Sequence, residues 1–198
     1  FGRDVGPFPL KFKDEISQPL AVFDYDKNRN YRFLVTQGSD LLMYNGKGKL
    51  VKGFNYESKS KIKTSPKHIR FKSKDYIVFL EGNQLQILNR RGQTRIKVKE
   101  PINFSNQEIY FYKNQFSTLN SKGDLVQIDE KGRVSFQSLG FEPGSQMTAS
   151  NNTLIAQWDN KLHIKNQKVE LEYGDFSPPK LFYLKDKIHI CTTDLQSK

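Results

Sequence analysis

The stretch NQLQILNRRGQTRIKV (83–98) reads as two short strands joined by one turn. Leu85 and Ile87 alternate with Gln84 and Gln86, the period of a half-buried strand. Asn89 then opens the turn and Gly92 closes it. An Asn side chain bonds backbone two residues on, and Gly accepts the left-handed conformation that ends a bulged hairpin. The same order recurs in SDLLMYNGKGKLVKGF (39–54), with Asn45 and Gly48, and in GDLVQIDEKGRVSFQS (123–138), with Asp129 and Gly132. NKLHIKNQKVELEY (160–173) follows the pattern around Asn166 without the glycine.

These turn residues sit 44, 40 and 37 positions apart. A period of about 40 is what four short strands per unit require in a propeller blade. The two further strands lie upstream of each hairpin: LAVFD (20–24) with YRFLV (31–35), KHIRF (67–71) with YIVFL (76–80), EIYFY (108–112) with QFSTL (115–119), and QMTAS (146–150) with TLIAQW (153–158). No amphipathic helix is visible, and the four-strand period fits a propeller better than a stacked solenoid or a sandwich. The expected fold is therefore all-β: a β-propeller, or a propeller fragment, of four to five four-stranded antiparallel blades. The blades fall at 15–55, 66–100, 106–140 and 145–174, with an incomplete fifth at 179–198. FPLKF (8–12) looks like an outer strand. Either it completes the fifth blade, or it belongs to a blade whose other strands lie upstream in a longer chain.

Bulk properties narrow the class. Aromatics make up 13% of 198 residues, too many for a disordered chain. No apolar run approaches the ~20 residues of a membrane-spanning helix, and FGRDVGPFPL has no signal-peptide core. The single cysteine, Cys191, lies in the apolar run IHICTT and reads as a buried small hydrophobe. A formal net charge of +11 favours attraction to polyanions. Its densest stretches, KSKIKTSPKHIRFKSK (59–74) and NRRGQTRIKVK (89–99), suggest a basic surface of Lys59, Lys61, Lys63, Lys67, Arg70, Lys72, Arg90, Arg91 and Arg95. The plainer reading of the same residues is a solvated strand surface whose lysines protect sheet edges.

The residues needed for catalysis are not grouped. His68, His163 and His189 fall within strand patterns, and no G-x-S-x-G elbow supplies a nucleophile. GKGK (46–49) lacks the spacing of a phosphate-cradling loop. One metal-like motif remains, DYDKNRN (24–30), where Asp24, Asp26, Asn28 and Asn30 alternate as at the start of a calcium loop. Such a loop needs Gly at its sixth place and a bidentate acid at its twelfth. Arg29 and Val35 stand there, so backbone-satisfying turn residues are the expectation. No cofactor is expected.

The order FDYDKNRNYRFLV…GSDLLMYNGKGKLVKGF…SPKHIRFKSKDYIVF resembles the propeller-like C-terminal region of large envelope-associated proteins of Bacteroidetes, some of which carry a ribonuclease label. More loosely, the chain is similar to quinoprotein-like, WD40 and FG-GAP propeller repeats. Quinoprotein blades mostly carry a tryptophan, whereas Trp158 here stands alone. The resemblance implies a propeller in a periplasmic or envelope setting. Nuclease chemistry would require carboxylates gathered around two divalent metals, and no spacing gathers them. A non-enzymatic module that binds another protein is the expected function. Polyanion or glycan binding through the basic, aromatic-containing surface is the alternative, with Tyr25, Tyr31, Tyr44, Tyr56, Tyr110 and Tyr112 as stacking candidates. Membrane contact is expected only through parts of the protein outside this sequence.

Overall fold

The computed structural model describes residues 6, 8–105, 107–150, 152–164 and 167–196. Among them there are seventeen strands and no helix. The first sheet is β1 (Ala21–Phe23), β2 (Arg32–Gln37) and β3 (Asp40–Asn45). The second is β4 (Lys67–Phe71), β5 (Lys74–Glu81), β6 (Gln84–Leu88) and β7 (Thr94–Ile96). The third runs β8 (Tyr110–Tyr112), β9 (Gln115–Leu119), β10 (Leu125–Ile128) and β11 (Val134–Gln137). The fourth is β12 (Gln146–Ser150), β13 (Thr153–Trp158), β14 (Lys161–Ile164) and β15 (Gln167–Glu170), and the fifth pairs β16 (Lys180–Leu184) with β17 (Lys187–Cys191). Every pairing is antiparallel between consecutive strands, so the complete sheets are four-stranded meanders. The contacts divide the chain into two compact units, Phe1–Lys99 and Glu100–Lys198.

Burial is greatest in the second strands of the sheets. In β5 every residue after Lys74 is buried, and in β13 all but Trp158 are. Strands covered on both faces need continuous apolar runs instead of alternation. Leu34, Met43, Ile77 and Phe79 form one core joining the first and second sheets, and Leu119, Leu125, Met147 and Leu154 form another between the third and fourth. Outer strands are more exposed, β15 along its whole length, although Ile96 of β7 is buried.

Three turns take the form read from sequence. The Asn45, Asn89 and Asp129 Oδ1 atoms accept the backbone N–H two residues on, at 2.9, 2.8 and 2.8 Å. The glycine N–H bonds back to the carbonyl of the same residue in each case, and Gly48, Gly92 and Gly132 have φ of 66°, 78° and 78°. Residues 165 and 166 lie outside the described residues, and with them the turn around Asn166.

Two elements differ from the expectation. In the first sheet the fourth strand is reduced to a single bridge, Tyr44 to Leu50, because the chain turns away at Lys52 and Gly53. Residues 8–12 form no strand; Phe8 and Phe12 lay their rings edge-on against Phe33 and Tyr44 of the first sheet. Cys191 corrects the sequence reading outright. It is exposed, because the fifth sheet has only two strands and nothing covers that position of β17 among the described residues.

A further repeat emerges only in three dimensions. Ile16, Ile62, Phe104 and Phe176, each a few residues before the first strand of its sheet, bridge to Gln37, Glu81, Asn120 and Asp194. Each bridge has the same two bonds on either side, such as Lys63 N–H to Leu80 O at 2.8 Å and Gly82 N–H to Lys61 O at 3.0 Å. The first strand of these four sheets is thus a broken one, interrupted by a bulge before it resumes. Bulges re-aim side chains and bend the strand.

Candidate interaction surfaces

In a meander, the turns joining first to second strands and third to fourth strands lie on the same edge of the sheet. For the first two sheets that edge carries residues 24–31, 45–48, 72–73 and 89–92. Its chemistry starts at DYDKNRN. The Asp24 carboxylate accepts the backbone N–H groups of Asn28 (3.1 Å) and Arg29 (3.0 Å). Asn28 Oδ1 accepts the N–H of Asn30, and Asn30 Oδ1 accepts the Arg32 guanidinium at 2.7 Å. The Asp26 carboxylate is held by both terminal nitrogens of Arg90 at 2.6 and 3.2 Å. Each of the four Asp and Asn side chains in the motif is therefore engaged by a different donor of the protein.

Beneath this loop lies Asp75, buried at the start of β5. His68 Nε2 meets one of its oxygens at 2.7 Å and Arg90 Nε donates to the other at 2.6 Å. Arg70 approaches the same carboxylate at 3.5 Å and donates to the Tyr25 carbonyl at 2.7 Å. The Arg90 guanidinium also lies over the Tyr25 ring, 4.6 Å from its centre. Burial alone would raise the Asp75 carboxyl pKa, but the bonds from His68 and Arg90 outweigh it and hold the group below its ordinary value. The Arg90 bond, in turn, lowers Asp26, and Asp26 raises Arg90. Arg70 and Arg90 are thus two of the nine basic residues singled out in the sequence, and here they neutralise carboxylates within their own unit.

The opposite edge of the second sheet is built around Glu81, also buried. Its carboxylate accepts the Tyr56 hydroxyl, the Ser58 hydroxyl at 3.0 Å, and the backbone N–H groups of Lys59 and Ser60, the last at 2.8 Å. Burial pushes this carboxyl up, and those four donors more than offset it, leaving it below the ordinary carboxylate range. Burial together with the Glu81 bond pushes the Tyr56 phenol well above its usual value. The loop that Glu81 organises presents Lys59 and Lys61, while the Lys63 ammonium reaches Asn83 Oδ1 at 3.3 Å.

The basic stretch is therefore split across one sheet. Lys59, Lys61 and Lys63 belong to the Glu81 edge, whereas Arg70, Lys72, Arg90 and Arg91 belong to the Asp75 edge. The eight-residue strand β5 separates the two, a span of about 23 Å at strand rise. Lys67 is half-buried at the start of β4, and Arg95 lies exposed on β7 with its guanidinium 5.5 Å from the centre of the Tyr76 ring.

The second unit holds a groove of about 580 Å³ between its third and fourth sheets. Tyr112, Leu125, Leu139, Phe141 and Leu154 give it apolar walls. Lys113, Gln137, Asn152, His163, Gln167 and Lys168 supply polar groups, and among the described residues no carboxylate lines it. Phe141 meets the His163 ring edge-on at 5.5 Å. Burial, reinforced by the Lys168 charge, holds the His163 pKa below its ordinary value. Sequence reading placed His163 on a strand but not in a groove, because its neighbours come from turns and strands of two different sheets. His189 is exposed on β17. Among the described residues, no three His, Cys, Asp or Glu side chains gather as a metal site.

No protein-family model matches the chain, and no curated protein matches it in sequence. Solved structures do. A crystal structure of BBS1N in complex with ARL6DN, soaked with lead, matches with a TM-score of 0.57 at 9% identity, over 89% of this chain and 60% of that one. At such identity the likeness concerns fold alone, and this chain spans about three fifths of the BBS1N length. BBS1N is a β-propeller, and the four-stranded antiparallel meanders described above are the same architecture: the chain has a β-propeller fold.

Proposed function

We propose that this chain is a non-enzymatic β-propeller module that docks another protein, in the envelope setting its sequence resemblance implies. The observation that carries the reading is the groove of the second unit. Protein interfaces combine apolar, often aromatic, anchors with a polar rim, and the groove offers Tyr112, Phe141 and Leu139 beside three carboxamides and two lysines. Its polar groups are donors or neutral amides, so a segment rich in acceptors is favoured. The BBS1N structure supports the general idea, since that propeller is bound to a partner protein. Fold alone carries no function.

A photo-crosslinking residue at position 139 tests the reading directly. Leu139 is partly exposed, so the replacement leaves the core intact. A single protein captured at that position at both low and high salt is the expected result, and capture should be lost when Lys113→Glu and Lys168→Glu, two other groove residues, are added to the same protein. Cross-links that spread over many proteins and disappear with salt would defeat the proposal.

A further inference from the structure

We infer that the turn edge of the first unit, centred on DYDKNRN, binds an acidic polysaccharide. None of the residues it assigns to the binding edge lines the groove, so it stands or falls apart from the docking proposal. Three observations lead to it. First, among the described residues every carboxylate on this edge is already committed inward: Asp24 to the backbone N–H groups of Asn28 and Arg29, Asp26 to Arg90, and Asp75 to His68 and Arg90. The exposed cations Lys27, Arg29, Lys47 and Arg91 have no carboxylate partner among the described residues. The edge therefore presents uncompensated positive charge, held close together by the Asp26–Arg90 pair that ties the first sheet's loop to the second sheet.

Second, the cations sit where cations are unfavourable. Lys27 and Arg29 have φ of 54° and 65°, and Lys72 has 46°. Side chains with a Cβ avoid this left-handed region, and Asn or Gly is the ordinary occupant. The second unit repeats the choice at Lys113 (48°) and Lys185 (54°), each in the turn between the first two strands of its sheet. A strained residue type recurring at equivalent turns points to a role other than stability.

Third, the loop's remaining side chains suit sugars better than nucleotides. Asn28 and Asn30 place amide N–H₂ groups between the cations, donors that match hydroxyls, and Tyr31 is exposed at the end of the loop. Single-stranded nucleic acid binds on successive aromatic platforms, but on this edge Tyr25 is buried and Tyr44 packs against Phe12. One ring, two amides and several ammonium or guanidinium groups match a chain of carboxylated or sulfated pyranoses.

Heparin is the probe, with a short DNA duplex as the competing polyanion, and binding is followed by calorimetry at low ionic strength. The double variant Lys27→Asn/Arg29→Asn removes two charges and inserts a residue that tolerates the turn. It is expected to weaken heparin binding about tenfold, as loss of two charge contacts should, while its melting temperature stays level or rises. The triple variant Lys59→Gln/Lys61→Gln/Lys63→Gln, on the opposite edge, should bind heparin like the parent. Unchanged affinity in the double variant, an equal loss in the triple variant, or duplex DNA bound as tightly as heparin would each overturn the inference. So would a fall in melting temperature in the double variant, since that would make the two cations structural.

Discussion

Glu81 shows how one buried charge organises a surface. Four donors converge on a carboxylate that is 3% exposed, two of them backbone N–H groups of the lysine-bearing loop. Glu81→Gln keeps the size but turns an acceptor end into a donor facing donors. A loss of about 2–3 kcal/mol is expected, the penalty of buried groups left unpaired, measurable by urea unfolding. Asp75→Ala should cost a similar amount, about 2 kcal/mol, by leaving His68 and the Arg90 Nε without their carboxylate, while Asp26 still holds the rest of the guanidinium. Both carboxyls have folded pKa values below their unfolded ones. Their stabilisation is therefore complete above the unfolded carboxylate range and drains away as pH falls through the lower folded values. The share of melting temperature that these two carboxylates supply should be flat from about pH 6 and drop below about pH 4, and that drop should be shallower in Glu81→Gln.

Among the elements, the turns are specified residue by residue. Asn120 and Gly123 form a fourth N-x-x-G turn, between β9 and β10, with Asn120 Oδ1 accepting the N–H groups of Lys122 and Asp124 at 2.9 Å each. NSKG (120–123) has the same spacing as the three hairpins read from sequence, but it joins second to third strands and so falls off their period. Its glycine resists replacement: φ is 87°, and a Cβ there would lie 2.4 Å from the Phe141 carbonyl oxygen, closer than the 2.8 Å at Gly92. Gly123→Ala is expected to cost more than about 3 kcal/mol through strain and clash together. Asn120→Ala should cost about 2 kcal/mol, because it orphans two N–H groups in a part-buried turn. Asp129→Ala, at an exposed turn of the same form, should cost about 1 kcal/mol or less. Chemical denaturation of the three variants ranks them directly.

Across the whole molecule, protection should follow the order of strands within each sheet. Central strands β5 and β13 are buried nearly end to end, whereas β15 is exposed along its length and β17 nearly so. Local opening free energies scale with buried contacts around each backbone bond. Amide hydrogen exchange should be slowest at Ile77–Leu80 and Leu154–Ala156, and faster by several orders of magnitude in β15 and β17. Uniform protection across each sheet would contradict this ranking. At the same scale, the net charge of +11 gives a background attraction to any polyanion. Heparin affinity must therefore be compared between variants of known charge.

The sequence by itself determined the all-β class, the four-strand period and the hairpin turns at 45–48, 89–92 and 129–132, since strand alternation and turn stereochemistry are local properties. The burial of β5 and β13 has a local basis too: a continuous apolar run has no polar face to offer solvent. The sequence could not sort the basic residues. Lys59 and Arg90 fall in neighbouring charged stretches, yet β5 puts their side chains on opposite edges, and only pairing register decides that Arg90 meets Asp26, sixty-four positions away. The exposure of Cys191, the broken first strands and the His163 groove were decided in the same way. Each depends on what lies across a sheet or beside it, and an apolar run such as IHICTT carries no record of whether a neighbour covers it.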